Sequence, residues 1–96
     1  MQCVFCGIVS GEIPKSFVYE DDDYVAFDDI QPKAPVHVLL VPKKHISGLV
    51  EATGVDQGIV GKLVKQLGIA DSYKIVVNGG RLQEVPHLHY HILKGE

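Results

Sequence analysis

The segment His87-Leu88-His89-Tyr90-His91-Ile92-Leu93 constrains this chain more than any other, because it holds three of the five histidines at alternating positions. Successive side chains on a strand point to opposite faces. As a strand, the segment lines one face with His87, His89 and His91 and gives the other to Leu88, Tyr90 and Ile92. As a helix it would scatter the rings by roughly 200° per two-residue step. The spacing therefore predicts a strand, packed on its apolar side, that displays a ladder of imidazoles. Each ring can act as nucleophile, acid, base or ligand near neutral pH. An inert exposed edge is the bland alternative, and a purification tag is another, but tags carry consecutive histidines without interleaved core residues. A metal cluster using all three rings is a further reading; a catalytic site accounts for the pattern best.

The remainder of the sequence suits a small enzyme domain. Its 96 residues are expected to form a single domain over 1–96, of a size at which a metal or a partner often reinforces the core. The net charge of −3 offers no electrostatic case for nucleic acid or for an anionic membrane, and Lys43-Lys44 beside His45 is too short for a basic patch. The N-terminus lacks the basic start and long apolar core of a signal peptide, and no run is long enough to span a bilayer. A cytoplasmic location is expected.

The two cysteines form Cys3-x-x-Cys6, a spacing with several meanings. A structural disulfide is disfavoured in a reducing cytosol. A thioredoxin-like pair belongs after a strand in a βαβ unit, not at the extreme N-terminus. Half of a tetrahedral zinc site needs two more ligands, which later histidines can supply. Two ordinary thiols packed as small hydrophobes remain open.

In chain order, Cys3 to Ser10 reads as a short helical turn closed by Gly11. Phe17–Glu20 and Tyr24–Phe27 are strands of a hairpin whose tip is the solvated Asp21-Asp22-Asp23. The two prolines between Asp28 and Pro35 mark a loop. Val36–Val41 is the strongest strand, β-branched and ended by Pro42, and a histidine within it, His37, is exceptional. Alone it would be a satisfied core residue; with the later triplet, a shared site is the better reading. Val55, Ile59, Val60, Leu63, Val64 and Leu67 recur at helical spacing, weakened by Gly58 and Gly61. Lys74–Val77 is a further strand, followed by a turn at Asn78-Gly79-Gly80-Arg81. The order of elements is α+β.

The terminal pattern of histidines and apolars resembles the signature of the histidine triad (HIT) family. The resemblance extends to Phe27-Asp28-Asp29-Ile30, Ala34-Pro35-x-His37, Val41-Pro42-Lys43-Lys44-His45-Ile46-Ser47, Val77-Asn78 and Cys3-x-x-Cys6, and so covers nearly the whole chain. It looks closest to the nucleotide-binding branch that hydrolyses purine nucleoside phosphoramidates. The resemblance implies a five-stranded antiparallel sheet with one main helix and a short N-terminal helix, paired as a homodimer through a helix and the sheet edge. It implies that His89 attacks the α-phosphorus, that a covalent nucleotidyl-histidine forms, and that His91 and His37 hydrogen-bond the phosphate. An imidazole is largely neutral at pH 7, with an unperturbed pKa of about 6.5, so it can act without a separate base.

Other positions carry over from the same resemblance. Asp29 matches the acceptor for the ribose hydroxyls; it is otherwise a loop-capping Asp. Val4, Phe5, Ile8, Phe27, Ile30 and Leu39 match the walls of the base pocket, though each is equally suited to plain core. Asn78 and Gln83 match polar residues on the phosphate side. For zinc, the resemblance points to Cys3, Cys6, His45 and His87. Glu84 departs from the pattern, standing where that branch usually has Ser or Thr beside the phosphate; the helix ending at Leu67 and the loop before His87 are also shorter than usual. Three alternatives stay in view: a dinucleoside polyphosphate hydrolase, a zinc-stabilised nucleotide-binding module with little catalysis, for which Glu84 is the motive, and a hydrolase using the triad as metal ligands.

Overall fold

The structure, a computed structural model, describes residues 3–53 and 57–95. It begins with helix α1 (Val4–Ser10) and strands β1 (Tyr19–Glu20), β2 (Tyr24–Asp28) and β3 (His37–Pro42). Helix α2 (Gly58–Gln66), β4 (Tyr73–Val76) and β5 (Tyr90–Lys94) follow, with 3-10 turns at Leu49–Glu51 and Gly80–Leu82. The strands form one open antiparallel sheet in the order β1-β2-β3-β5-β4. This is the α+β architecture that the sequence predicts. Val55, expected in the second helix, lies outside the described residues.

Alternation along the strands divides the core in two. Tyr24, Ala26, Val38, Leu40, Tyr90 and Ile92 face α2, where Leu63 and Val64 meet them. Val25, Phe27, Leu39 and Val41 face the opposite way, against Phe5 and Ile8 of α1. Burying one such aliphatic side chain fully contributes about 1.5–3 kcal/mol, so both faces hold the sheet. His91 lies directly opposite Leu39 across β3–β5, which puts it on the α1 face. The histidine site is therefore built on the side of the sheet with the smaller apolar cluster.

One expectation needs correction. The segment His87–Leu93 is not a strand throughout: β5 begins only at Tyr90. The reason is that the chain before Tyr90 finds its hydrogen-bond partners elsewhere. Leu88 N–H donates to the carbonyl of Ile46 at 2.6 Å, in the loop that follows β3. The facial division nevertheless holds, since Leu88, Tyr90 and Ile92 lie in the α2-side core. The Phe17–Glu20 strand is likewise shorter than expected, reduced to Tyr19–Glu20.

The Asp21–Asp23 tip is an ordered turn. Asp21 Oδ1 accepts from the N–H groups of Asp23 and Tyr24, and its Oδ2 accepts from the Tyr19 hydroxyl at 2.6 Å. Burial opposes the charge on Asp21, but these donors prevail and hold its pKa below the usual carboxylate value. Lys43 pairs with Glu20 at 2.9 Å beside the same turn.

Candidate active site and metal cluster

His89 is buried, and its ring orientation is set by one main-chain contact. Nδ1 lies 2.7 Å from the carbonyl oxygen of His87. A carbonyl can only accept, so Nδ1 carries the proton and the lone pair resides on Nε2. Phe5 packs edge-on against the ring, with centroids 5.0 Å apart at 78°. The His91 ring lies 5.0 Å away on the other side. The His89 ring is thus held in one orientation, Nδ1 toward the His87 carbonyl.

His37 and His91 form a second hydrogen-bonded unit. Lys33 N–H donates to His37 Nδ1 at 3.1 Å, which places the ring proton of His37 on Nε2. That Nε2 stands 2.9 Å from His91 Nδ1 and 3.3 Å from Asp29 Oδ2. With its Nδ1 accepting from His37, His91 carries its own proton on Nε2. Asp29 is anchored by Gln31 N–H on Oδ1 at 2.8 Å and turns Oδ2 toward the pair, 3.9 Å from His91 Nδ1. Burial, followed by the neighbouring His89 and His37 rings, pushes the His91 pKa below the ordinary 6.5, against an opposing pull from Asp29. His91 is therefore a neutral donor near pH 7.

Cys3, Cys6, His45 and His87 converge at a separate cluster, with one ligand atom from each lying within 4.8 Å of the others. Cys3 Sγ is 3.2 Å from Cys6 Sγ, 3.5 Å from His45 Nδ1 and 3.2 Å from His87 Nδ1. Cys6 Sγ is 3.1 Å from His45 Nδ1 and 3.6 Å from His87 Nδ1. Donors around a tetrahedral zinc with ordinary bond lengths stand about 3.3–3.8 Å apart, so the four fit such an ion. His87 Nε2–H donates to the carbonyl of Pro42 at 2.8 Å, leaving Nδ1 with its lone pair toward the sulfurs; metal-bound histidines are oriented in this way. Burial in the first place, and then the His45 and His89 rings, hold the His87 pKa below its ordinary value and favour the neutral ring that a cation needs. Burial and the adjacent Cys3 sulfur push the Cys6 thiol up.

Asp29, His37 and His91 also bring three potential ligand atoms together, but their hydrogen bonding argues against a metal. The Lys33 N–H occupies the His37 Nδ1 lone pair, so His37 Nε2 bears a proton and cannot ligate as a neutral ring. The two clusters are told apart by what lies behind each imidazole.

The remaining residues singled out in the sequence fall around this core. Phe5, Ile8, Phe27 and Leu39 form the buried apolar cluster on the α1 face, Val4 is half-exposed and Ile30 is 87% exposed at its rim. Asn78 is half-buried just after β4. Gln83 donates from Nε2 to the carbonyls of Ser47 and Val85, at 2.8 and 3.3 Å, and so ties two loops together. Glu84 is exposed. A surface cavity of about 620 Å³ lies beyond His45, lined by Asp23, Lys43, Lys44, Ser47 and Glu51 among others. It does not include His89 or His91.

Sequence reasoning missed the acceptors that orient these rings, the carbonyls of Pro42 and His87, and the donor Lys33 N–H. Main-chain groups leave no mark in a sequence.

An open five-stranded antiparallel sheet bearing paired histidines on one face defines a histidine triad fold, and the chain belongs to the HIT family: residues 10–96 match the HIT domain. It is 43% identical to the protein HitA of Neisseria gonorrhoeae, over 95% of this chain and 94% of that protein. An uncharacterised HIT-like protein of Synechocystis is 46% identical, over 96% of this chain and 89% of that one. Among solved structures, a histidine triad protein of Clostridium difficile superposes with a TM-score of 0.86 at 43% identity, covering 100% of this chain and 92% of that one. A histidine triad nucleotide-binding protein of Candida albicans superposes with a TM-score of 0.86 at 34% identity, covering 99% of this chain and 76% of that one. A HIT family hydrolase of Legionella pneumophila gives 0.86 at 38% identity, covering 99% and 94%. The chain thus shares the fold of hydrolases and nucleotide-binding proteins of this family.

Proposed function

We propose that this protein hydrolyses purine nucleoside phosphoramidates or related adenylates through a nucleotidyl-His89 intermediate. The observation that carries the reading is the single tautomer of His89, with Nδ1–H on the His87 carbonyl and the Nε2 lone pair free. In the first half-reaction Nε2 attacks the α-phosphorus, a P–N bond to the ring forms, and the substrate's own P–N bond breaks. The amine departs with a proton drawn from solvent. Positive charge growing on the ring meets the His87 carbonyl. In the second half-reaction water attacks phosphorus, the bond to Nε2 breaks, and nucleoside monophosphate leaves as a proton returns to solvent. Dividing one displacement into two is the advantage of covalent catalysis.

His91, donating from Nε2, and His37, which holds it, stabilise the phosphoryl oxygens as charge accumulates. Asp29 takes the ribose hydroxyls, Phe5, Ile8, Phe27, Ile30 and Leu39 flank the base, and Asn78 and Gln83 stand toward the phosphate. Zinc in the Cys3–Cys6–His45–His87 set, a homodimer through α2 and the β4 edge, and a reducing cytoplasmic setting that keeps Cys3 and Cys6 from forming a disulfide complete the reading. β4 lies at the edge of the sheet with Tyr73 half-exposed.

Intact-protein mass spectrometry after brief mixing with an adenosine phosphoramidate, quenched without acid, tests the proposal. An adenylyl mass gain in wild type, absent from His89→Ala, is expected. Full turnover by His89→Ala would reject it. Wild type that binds nucleoside monophosphate without adduct or turnover would favour a binding module, and faster cleavage of a dinucleoside polyphosphate would reassign the substrate.

A further inference from the structure

We infer that the Cys3–Cys6–His45–His87 cluster, when it holds its metal ion, positions the nucleophile, because His87 offers its ring to the cluster and its main-chain carbonyl to His89. This rests on the nucleotidyl-His89 reading above and extends it to the role of the metal.

His87 is completely buried and every polar atom it has is engaged. Its N–H donates to Val85 O at 2.8 Å, its Nε2–H to Pro42 O at 2.8 Å, and its carbonyl accepts from His89 Nδ1 at 2.7 Å. Only Nδ1 points at the sulfurs. A cation there closes the last degree of freedom of the ring, and with it the position of the carbonyl that selects the tautomer of His89.

A second link runs through α1. Cys3 caps this helix, accepting from Cys6 N–H at 3.2 Å, and Cys6 lies in its first turn. Phe5, between them, packs edge-on against both His87 and His89, at 6.0 and 5.0 Å. A seven-residue helix does not persist by itself. One ion shared by Cys3, Cys6, His45 and His87 would hold α1, the loop after β3 and the approach to β5 together. It would fix both the acceptor behind His89 and the ring beside it. His87 is thus a positioning residue, and so are the other three.

The test compares wild type stripped of metal under reducing conditions with the same protein reloaded with zinc, far below the melting temperature, with circular dichroism reporting the fold. Long-range proton–nitrogen NMR reads the His89 tautomer, and single-turnover kinetics reads the rate on an adenosine phosphoramidate. Expected are one Nδ1–H tautomer in the zinc form, a tautomer mixture in the stripped form, and a rate lower by about 100-fold, the scale of a 1 Å misplacement. His45→Ala should behave as the stripped protein, and His45→Cys, which restores four donors, should recover both signals with zinc. A folded stripped protein with the same tautomer and rate would overturn the inference. If stripping unfolds the chain, the zinc and cadmium forms are compared instead; the longer cadmium–sulfur bonds should shift the His89 signals and slow the rate, and identical values overturn the inference. Turnover without a His89 adduct would instead overturn the nucleotidyl-histidine reading, while the tautomer measurement still decides the role of the metal.

Discussion

Nε2 of His37 lies 2.9 Å from Nδ1 of His91, and the direction of that hydrogen bond is imposed from outside the pair. Lys33 N–H holds the far nitrogen of His37, so the proton between the rings belongs to His37. His91 is thereby left with an N–H on its opposite side, available to an incoming phosphate. The chain Lys33–His37–His91 carries the direction of a backbone amide through to the His91 ring.

Loss of either histidine should therefore be felt unequally. His91→Ala removes the donor itself, and we expect kcat to fall by about 10²–10³-fold, the usual effect of deleting one preorganised donor. His37→Ala leaves the donor present but free to turn, and a smaller loss is expected. Steady-state kinetics on a nucleoside phosphoramidate provides the check; equal losses would show that His37 touches substrate as strongly as His91.

The pH profile carries the sign of the His91 shift. Its pKa lies below 6.5 through burial and the neighbouring rings, with Asp29 pulling the other way. Protonated His91 cannot accept from His37, so the acid limb of kcat attributable to His91 should fall below pH 6.5. Asp29→Asn removes the upward pull and should shift that limb to still lower pH. A shift upward in Asp29→Asn would contradict the geometry.

The same group links stability to pH. Folded His91 binds its proton less readily than the unfolded ring, whose pKa is the ordinary 6.5. Below that value the unfolded chain takes up the proton first, so its population is favoured. The stability tied to neutral His91 is complete above pH 6.5 and is lost as pH falls through the folded pKa. Urea midpoints for wild type should decline over this range, and His91→Gln should flatten part of the decline.

Tyr90 offers a test on the other face of the sheet. Among the described residues its hydroxyl has no hydrogen-bond partner, although the side chain is buried in the α2-side core. An unsatisfied buried hydroxyl costs about 1–3 kcal/mol. Tyr90→Phe should therefore raise stability by about 1 kcal/mol, or about 4–8 °C in Tm for a domain of this size. Thermal unfolding decides it, and a clear destabilisation would mean the hydroxyl is paired.

Much of this was legible in the sequence. Alternation at Leu88, Tyr90 and Ile92 identified the packed face, and it did so even though regular pairing starts only at Tyr90. The run ending at Pro42 marked β3, with His37 inside it. Cys3 and Cys6 were recognisable as a pair of ligands, but their spacing left a redox couple and plain thiols open; only the fold brings His45 and His87 beside them. The Asn78-Gly79-Gly80-Arg81 run marked the turn that becomes the 3-10 segment Gly80–Leu82, whereas the one at Leu49–Glu51 gave no signal, because three residues are too few to establish a period.

By itself, the order of residues determined which side chains share a face, since strand periodicity is a local property of the backbone. It also determined which residue types were available for chemistry. The tertiary structure alone decided what each imidazole does. His87 and His91 have identical side chains, yet one turns the lone pair of Nδ1 to two sulfurs and the other turns it to the Nε2–H of His37. The difference lies in the Pro42 carbonyl behind the first and the His37 Nε2–H facing the second. Partners separated by tens of residues in the chain set the tautomer, and a histidine's tautomer determines whether it ligates, donates or attacks.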